Sequence, residues 1–322
     1  MRVHTRFGLV LVVVLVLSLF VGAQPLSVSR VWAGLHHAAG PEINHIMWGM
    51  RIPRTLLAVA VGASLGISGL LAQVWTRNPL ADPGIVGVTA GARFAIAVAA
   101  TCGIAGGLGQ QVAVALIGAT LATLFIIFVA RRRDDPITLI LVGVGVNATL
   151  MALTMLLSLQ SKSVFNDLRQ WSVGSTVGRG FVEAYLAGTG MVVAVLLGAL
   201  VARNLDVLAF GQDSAAALGV NIPVTFAGVI AAIAIAGGTA TAAAGPIAFL
   251  GLAAPHMVRR YVRRGGVREL LWPTACLGGI LALVADILGR VANYPGELEF
   301  SVVLAILGAP LMIYLVKQGA RL

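Results

Sequence analysis

The chain has 322 residues, of which 59% are hydrophobic and only 11% charged, and its mean hydropathy is +0.96. A soluble globular domain carries roughly a quarter charged residues, so the composition excludes that class and indicates an integral membrane protein. The net charge of +10 does not point to nucleic acid. Its basic residues punctuate apolar runs, as topology signals do, and form no stripe.

A spanning helix needs about 20 apolar residues, which with connections leaves room for on the order of ten in a chain of this length. Apolar runs bracketed by charge and proline predict helices near 7–26, 53–74, 84–102, 109–130, 137–158, 182–202, 223–242, 247–258, 270–289 and 300–316. The expected fold class is therefore all-α: a polytopic membrane protein, one domain over residues 1–322. The apolar run behind Arg2 and Arg6 is longer than a signal-peptide core and reads as a retained first helix. An even number of spans puts both termini on one side. With that side cytoplasmic, it holds about twice as many basic residues as the other, as the positive-inside rule requires. Arg93 falls within a span.

Residues 27–51 read as an outer loop holding His36, His37 and His45, which lack the carboxylate or thiol partners of a metal site. Cys102 and Cys276 sit in apolar runs without metal-ligand spacing and read as packing residues. Gly62-x-x-x-Gly66, Gly87-x-x-x-Gly91 and Gly103-x-x-x-Gly107 offer small faces one turn apart, which helices in lipid use for close approach. The stretch Gly62 to Gly69 resembles Gly238 to Gly245 five helices later and hence oppositely oriented, a hint of an inverted repeat. Asn78-Pro79-Leu80-Ala81-Asp82-Pro83 breaks a helix twice, and Gly245-Pro246 breaks one in the other half. Such breaks are tolerated where they are buried in protein or line a cavity. Asn78, Pro79, Gly245 and Pro246 are thus candidates for a translocation path, with Asn147, an intramembrane polar residue. Asp286 is a further intramembrane polar group. So few buried carboxylates do not suit a proton-coupled carrier.

A phosphate-cradling loop requires Lys directly after Gly. Lys162 follows Ser161 and Lys317 follows Val316, so ATP-driven work has to be powered by another polypeptide. No HExxH, GxSxG or paired intramembrane carboxylates suggest an enzyme.

Six blocks taken together resemble the FecCD family of ABC-importer permeases. They are Arg51-Ile52-Pro53-Arg54-Thr55-Leu56; Gly62 to Leu65 with Ser68-Gly69; Arg77 to Pro83 with Gly87 and Gly91-Ala92; Gly211 to Gly219; Gly245 to His256; and Gly296 to Phe300 through Gly308-Ala309-Pro310. The resemblance covers essentially the whole chain. It departs at Glu299-Phe300, where the family shows Pro and an aliphatic residue, so the start of the last helix is expected to bend differently.

The resemblance implies a type II ABC importer permease fold in a bacterial inner membrane. Its partners would be a second permease subunit (a copy of this chain or a paralogue), two ATPase subunits and an extracytoplasmic substrate-binding protein. The chain itself would bind no cofactor, ATP and Mg being used by the ATPase. Arg51, Arg54 and Arg290 match the positions that receive acidic residues of the binding protein, and the topology above independently puts them at outer helix ends. Guanidinium suits that task because its planar fork pairs bidentately with carboxylate. Interfacial anchoring is the plain alternative, and Asp286, four residues before Arg290, is a local rival partner. Residues 203–223 match the segment that couples to the ATPase, with Gly211, Asp213, Ala217, Leu218 and Gly219 at its centre. The stretch 165–180, with Trp171, matches a short outer helix that leads substrate into the path. The implied cargo is an iron chelate, first a ferric siderophore, with haem or cobalamin as alternatives. An ion-coupled secondary transporter is the rival from another class.

Overall fold

The computed structural model describes residues 2–22, 24–104, 107–130, 136–160, 162–262, 265–292 and 296–319. Arg131, Arg132, Arg133, Arg263, Arg264 and Arg321, which contribute to the charge asymmetry, lie outside them. The described residues contain no strand. In chain order the helices are α1 Arg2–Phe20, α2 Val28–Leu35, α3 Pro41–Asn44, α4 Ile52–Thr76, α5 Val88–Thr101, α6 Leu108–Ala130, α7 Pro136–Gln160, α8 Lys162–Ser172, α9 Phe181–Leu208, α10 Gln212–Ala217, α11 Ile222–Ala244, α12 Leu250–Tyr261, α13 Val267–Ala292 and α14 Phe300–Gly319. A π-helical stretch, His45–Arg51, joins α3 to α4 without interruption, and a 3-10 turn, Pro83–Val86, precedes α5.

Every apolar run read from the sequence contains a helix, but among the described residues six helices are long and apolar enough to cross a membrane by themselves, fewer than the ten expected spans. They are Pro41–Thr76, Leu108–Val129, Ile137–Gln160, Phe181–Leu208, Ile222–Ala244 and Val267–Ala292. His4–Phe20, Val88–Thr101 and Phe300–Pro310 are shorter apolar helices. The short α5 and α12 follow the two predicted breaks. Pro83 packs against Gly251 at the start of α12, which meets Leu65 and Gly69 in the middle of α4, and Val88 lies against Gly237 of α11, so both helices start inside the bundle. Each starts on a residue of positive φ, Gly87 at +82° and Phe249 at +70°. At Phe249 the Leu250 amide donates to the Ala248 carbonyl at 2.9 Å, a three-residue turn that costs a non-glycine residue about 1–3 kcal/mol.

The core forms around α4, which is buried along most of its length and packs on α9, α11, α12 and α13. Helix α11 packs on α9, α4, α5 and α6. Exchanging α4 with α11, α5 with α12 and α6 with α13 reproduces these contacts, the pattern expected of the inverted repeat. Close approach carries the packing, as lipid-embedded helices require. A Cβ on Gly62 would lie 2.3 Å from the Gly278 carbonyl oxygen, and one on Gly69 would lie 1.9 Å from that of Gly251. Gly91 meets Gly118 between α5 and α6 in the same way. The third glycine pair fails as a packing motif: Gly103 and Gly107 have open space around them, because α5 ends at Thr101.

The outer segment differs most from expectation. Residues 27–51 are largely helical, with Val31 and Gly34 of α2 buried and Val28 and Trp32 exposed. The histidines belong to this structure: His37 stacks on Trp48, and His36 meets Trp32 edge-on. Cys276 is buried in α13 as a packing residue, whereas Cys102 is exposed.

Candidate functional site

Asp286, on α13, organises the end of the bundle that the sequence reading puts outside, called the outer end below. It is fully buried, and charge this deep persists only when paired and hydrogen-bonded. Its Oδ1 accepts from Arg54 Nε at 2.8 Å and from Thr176 Oγ1 at 2.7 Å, while Oδ2 pairs with Arg290 one helical turn later. Arg54 also reaches Glu297 at 2.5 Å. Asp286 thus pairs with Arg290 as the spacing suggested, and with Arg54 from a different helix as well.

The three candidate docking arginines come together here but do not project freely. Arg51 is 6% exposed and Arg290 3%. Arg51 donates to the carbonyls of Leu19 (2.5 Å), Phe20 (3.1 Å) and Gln24, and Arg290 to those of Ser18 (3.0 Å) and Val21 (3.3 Å). Helix ends leave such carbonyls without intrahelical partners, and cations favour the negative end of the helix dipole. Two arginines, one ending the π-helical stretch before α4 and one from α13, therefore cap α1. A cavity of about 470 Å³ opens over the cluster, lined by Arg51, Arg54, Arg290, Glu42, His45 and Glu297 among others. Arg54 and Arg290 pair with two carboxylates, Asp286 and Glu297, while Glu42 lines the cavity beside them, and the buried Arg54 Nη2 and Arg290 Nε have no acceptor among the described residues.

The path candidates divide into three places. Trp171, Gly245 and Pro246 meet: the Gly245 backbone, at φ +81°, passes so close to the Trp171 carbonyl oxygen that a Cβ would lie 2.7 Å from it. Only glycine meets both demands without strain. Asn147, on α7, donates to the Gly84 carbonyl at 3.0 Å in the 3-10 turn, and its Oδ1 is buried without a partner. Asn78 and Pro79 lie apart from both, exposed beyond the far end of α4, where Asn78 Oδ1 accepts from the Leu80 amide at 2.9 Å. The outer helix α8 ends at Ser172, and 173–180 is a tight loop. Burial opposes the charge of Arg179 in that loop, and nearby Glu183 and Glu299 offset part of the effect.

At the opposite end of α4, residues 203–223 contain the last turn of α9, the short α10 and the first turn of α11. Gly211 (φ +114°) and Gly219 (φ +80°) bound α10, and Ala215 alone of its residues is buried. Asp213, Ala217 and Leu218 are exposed, Leu218 to 71%, and Phe210 to 81% beside them.

Sequence reasoning missed Thr176 and Glu297 as members of the outer cluster. Glu297 sits within a recognised block and near the predicted outer ends, but Thr176 carries no signal, since 110 residues separate it from Asp286.

A model of the FecCD transport family matches residues 10–318. This chain belongs to the FecCD transport family. Among curated FecCD-type relatives, the ferric enterobactin permease FepD of Escherichia coli is 38% identical over 97% of this chain and 94% of its own. The vitamin B12 import permease BtuC of Vibrio cholerae is 35% identical over 95% and 91%, and the hemin permease HmuU of Yersinia pestis is 34% identical over 98% and 96%. A solved metal-chelate type ABC transporter in an inward-facing conformation superposes with a TM-score of 0.88 at 26% identity, covering 98% of this chain and 99% of that one. As a FecCD member the chain is a membrane transport permease of the ABC-importer type, not an enzyme.

Proposed function

We propose that this chain is the permease subunit of a binding-protein-dependent importer that carries a ferric siderophore across a bacterial inner membrane by alternating access. Each subunit crosses the membrane about ten times with both termini cytoplasmic, and two copies, or one copy with a paralogue, form the membrane unit. Two ATPase subunits bind below, and a loaded binding protein docks above. The observation that carries this reading is the pairing of two unlike ends on one bundle. One end holds an arginine cluster with two guanidinium nitrogens unsatisfied among the described residues and a cavity over it. The other presents a short glycine-bounded helix with Leu218 and Phe210 exposed. Carboxylates of a docked protein fit the first end, and an apolar groove of an ATPase fits the second. ATP can drive the cycle only by favouring one conformation differentially, and α10 is the element through which that bias enters.

The siderophore assignment draws on FepD, the ferric enterobactin relative named above; the hemin and vitamin B12 relatives make haem and cobalamin the competing cargoes. The deciding experiment reconstitutes the permease with its ATPase in liposomes and adds binding protein loaded with ferric siderophore, haem or cobalamin. Stimulated ATP hydrolysis with uptake of the ferric chelate is expected. Uptake driven by a cation gradient with no nucleotide hydrolysed would overturn the importer reading. Association of the binding protein is expected to weaken in Arg54→Gln, and unchanged association would remove the docking role.

A further inference from the structure

We propose that Thr176 is a positioning residue that ties the arginine cluster to the meeting point of Trp171, Gly245 and Pro246, so that docking is felt at the Gly245–Pro246 break. This rests on the docking reading of the cluster.

Thr176 is 1% exposed, and its hydroxyl donates to Asp286 Oδ1 at 2.7 Å, the oxygen that also accepts from Arg54 Nε at 2.8 Å. The segment behind it is stitched to the broken helix. The Ser175 amide donates to the carbonyl of Ala244, the last residue of α11, at 2.7 Å. Gly174 lies against the Pro246 carbonyl, where a Cβ would come within 2.3 Å of the oxygen. Val173 accepts from Ser301 in the first turn of α14, and Trp171 abuts Gly245. A continuous run of contacts therefore leads from the arginines, through one carboxylate and one hydroxyl, to the start of the half-helix α12.

The hydroxyl is not needed to neutralise Asp286, which already holds two guanidiniums. What it adds is a shared acceptor. An incoming carboxylate that draws Arg54 away from Oδ1 leaves that oxygen to Thr176 alone, and the carboxylate then reorients with the loop attached to it. Two arrangements of one buried acceptor thus correspond to two placements of 171–176, the kind of discrete alternative that coupling between sites requires.

The test uses the complete transporter in liposomes with loaded binding protein, comparing the parent, Thr176→Val and Thr176→Ser. Valine keeps the shape and removes the donor. We expect binding-protein association in Thr176→Val within about twofold of the parent, while the ratio of stimulated to basal ATP hydrolysis falls about fivefold or more, as loss of a typical coupling energy would give. Serine is expected to restore the ratio. A parental ratio in Thr176→Val, or a serine variant as defective as valine, overturns the proposal. Should Thr176→Val fail to fold, a spin label at the exposed Val177, placed as Val177→Cys in the otherwise unaltered chain with Cys102 and Cys276 replaced by serine, reports the loop directly. Its spectrum is expected to shift on docking, and no shift overturns the proposal. Failure of the docking reading shows separately, as unchanged association in Arg54→Gln.

Discussion

The two ends of α4 solve opposite problems. At the outer end five charged side chains and the last carbonyls of α1 are knitted into a buried network before any partner arrives. At the inner end α10 is held by Ala215 and its two glycine boundaries, and leaves apolar surface open. The first end is preorganised and resists distortion; the second is an exposed surface that few contacts within the described residues hold in place. Binding at the first should therefore exchange existing bonds, whereas binding at the second should add new ones.

The strongest way to break this contrast is Asp286→Ala. It strands Arg54 and Arg290 beside a buried void, and removing one partner of a buried ion pair costs about 3–5 kcal/mol. A large drop in unfolding midpoint in detergent is expected, and a variant as stable as the parent would mean that the α1 carbonyls alone hold the arginines. Gly69→Ala comes next, because its methyl would meet the Gly251 carbonyl; overpacking of this kind costs about 1–3 kcal/mol, read from the same melting curves. Glu297 is 27% exposed, and Glu297→Gln should change stability by only about 0–1 kcal/mol. Since it frees part of Arg54, binding-protein affinity measured by surface capture should rise; a fall would show that Glu297 itself contacts the partner. Leu218→Asp on the exposed face should shift stability by less than about 0.5 kcal/mol. Yet it should abolish co-purification of the ATPase, and retained co-purification would sharpen the search toward Phe210.

The sequence made the helices legible because apolar runs, prolines and charge clusters mark their limits directly. The breaks at Asn78–Pro83 and Gly245–Pro246 and the boundaries of α10 were legible for the same reason: proline and positive-φ glycine act locally. Arg51, Arg54 and Arg290 were readable as a set by motif, but their burial was not. It depends on where the end of α1 falls, and the apolar run gave that end as 26 when the helix stops at Phe20. The helical character of 27–51 escaped because its apolar residues are too sparse to signal a span, and the π-helical register of 45–51 has no sequence period of its own. Thr176 and the pairing of Arg54 with Asp286 join residues far apart in the chain, which only tertiary packing brings within reach.

The unbroken helical stretch from Pro41 to Thr76 has 36 residues. Its α-helical part, Ile52–Thr76, has 25 residues and at about 1.5 Å per residue is roughly 38 Å long, against a hydrocarbon thickness of about 30 Å. Arg51 and Arg54 lie at one end of that α-helix, and just past the other Arg77 grips the Leu208 carbonyl at the foot of α9. A stiff rod longer than the bilayer is thick has no need of a relay of side chains along its length. Rocked by about 10° around its middle, the part from Ile52 to Thr76 swings its two tips by roughly 3 Å in opposite senses. A push at one tip thus reappears, inverted, at the other.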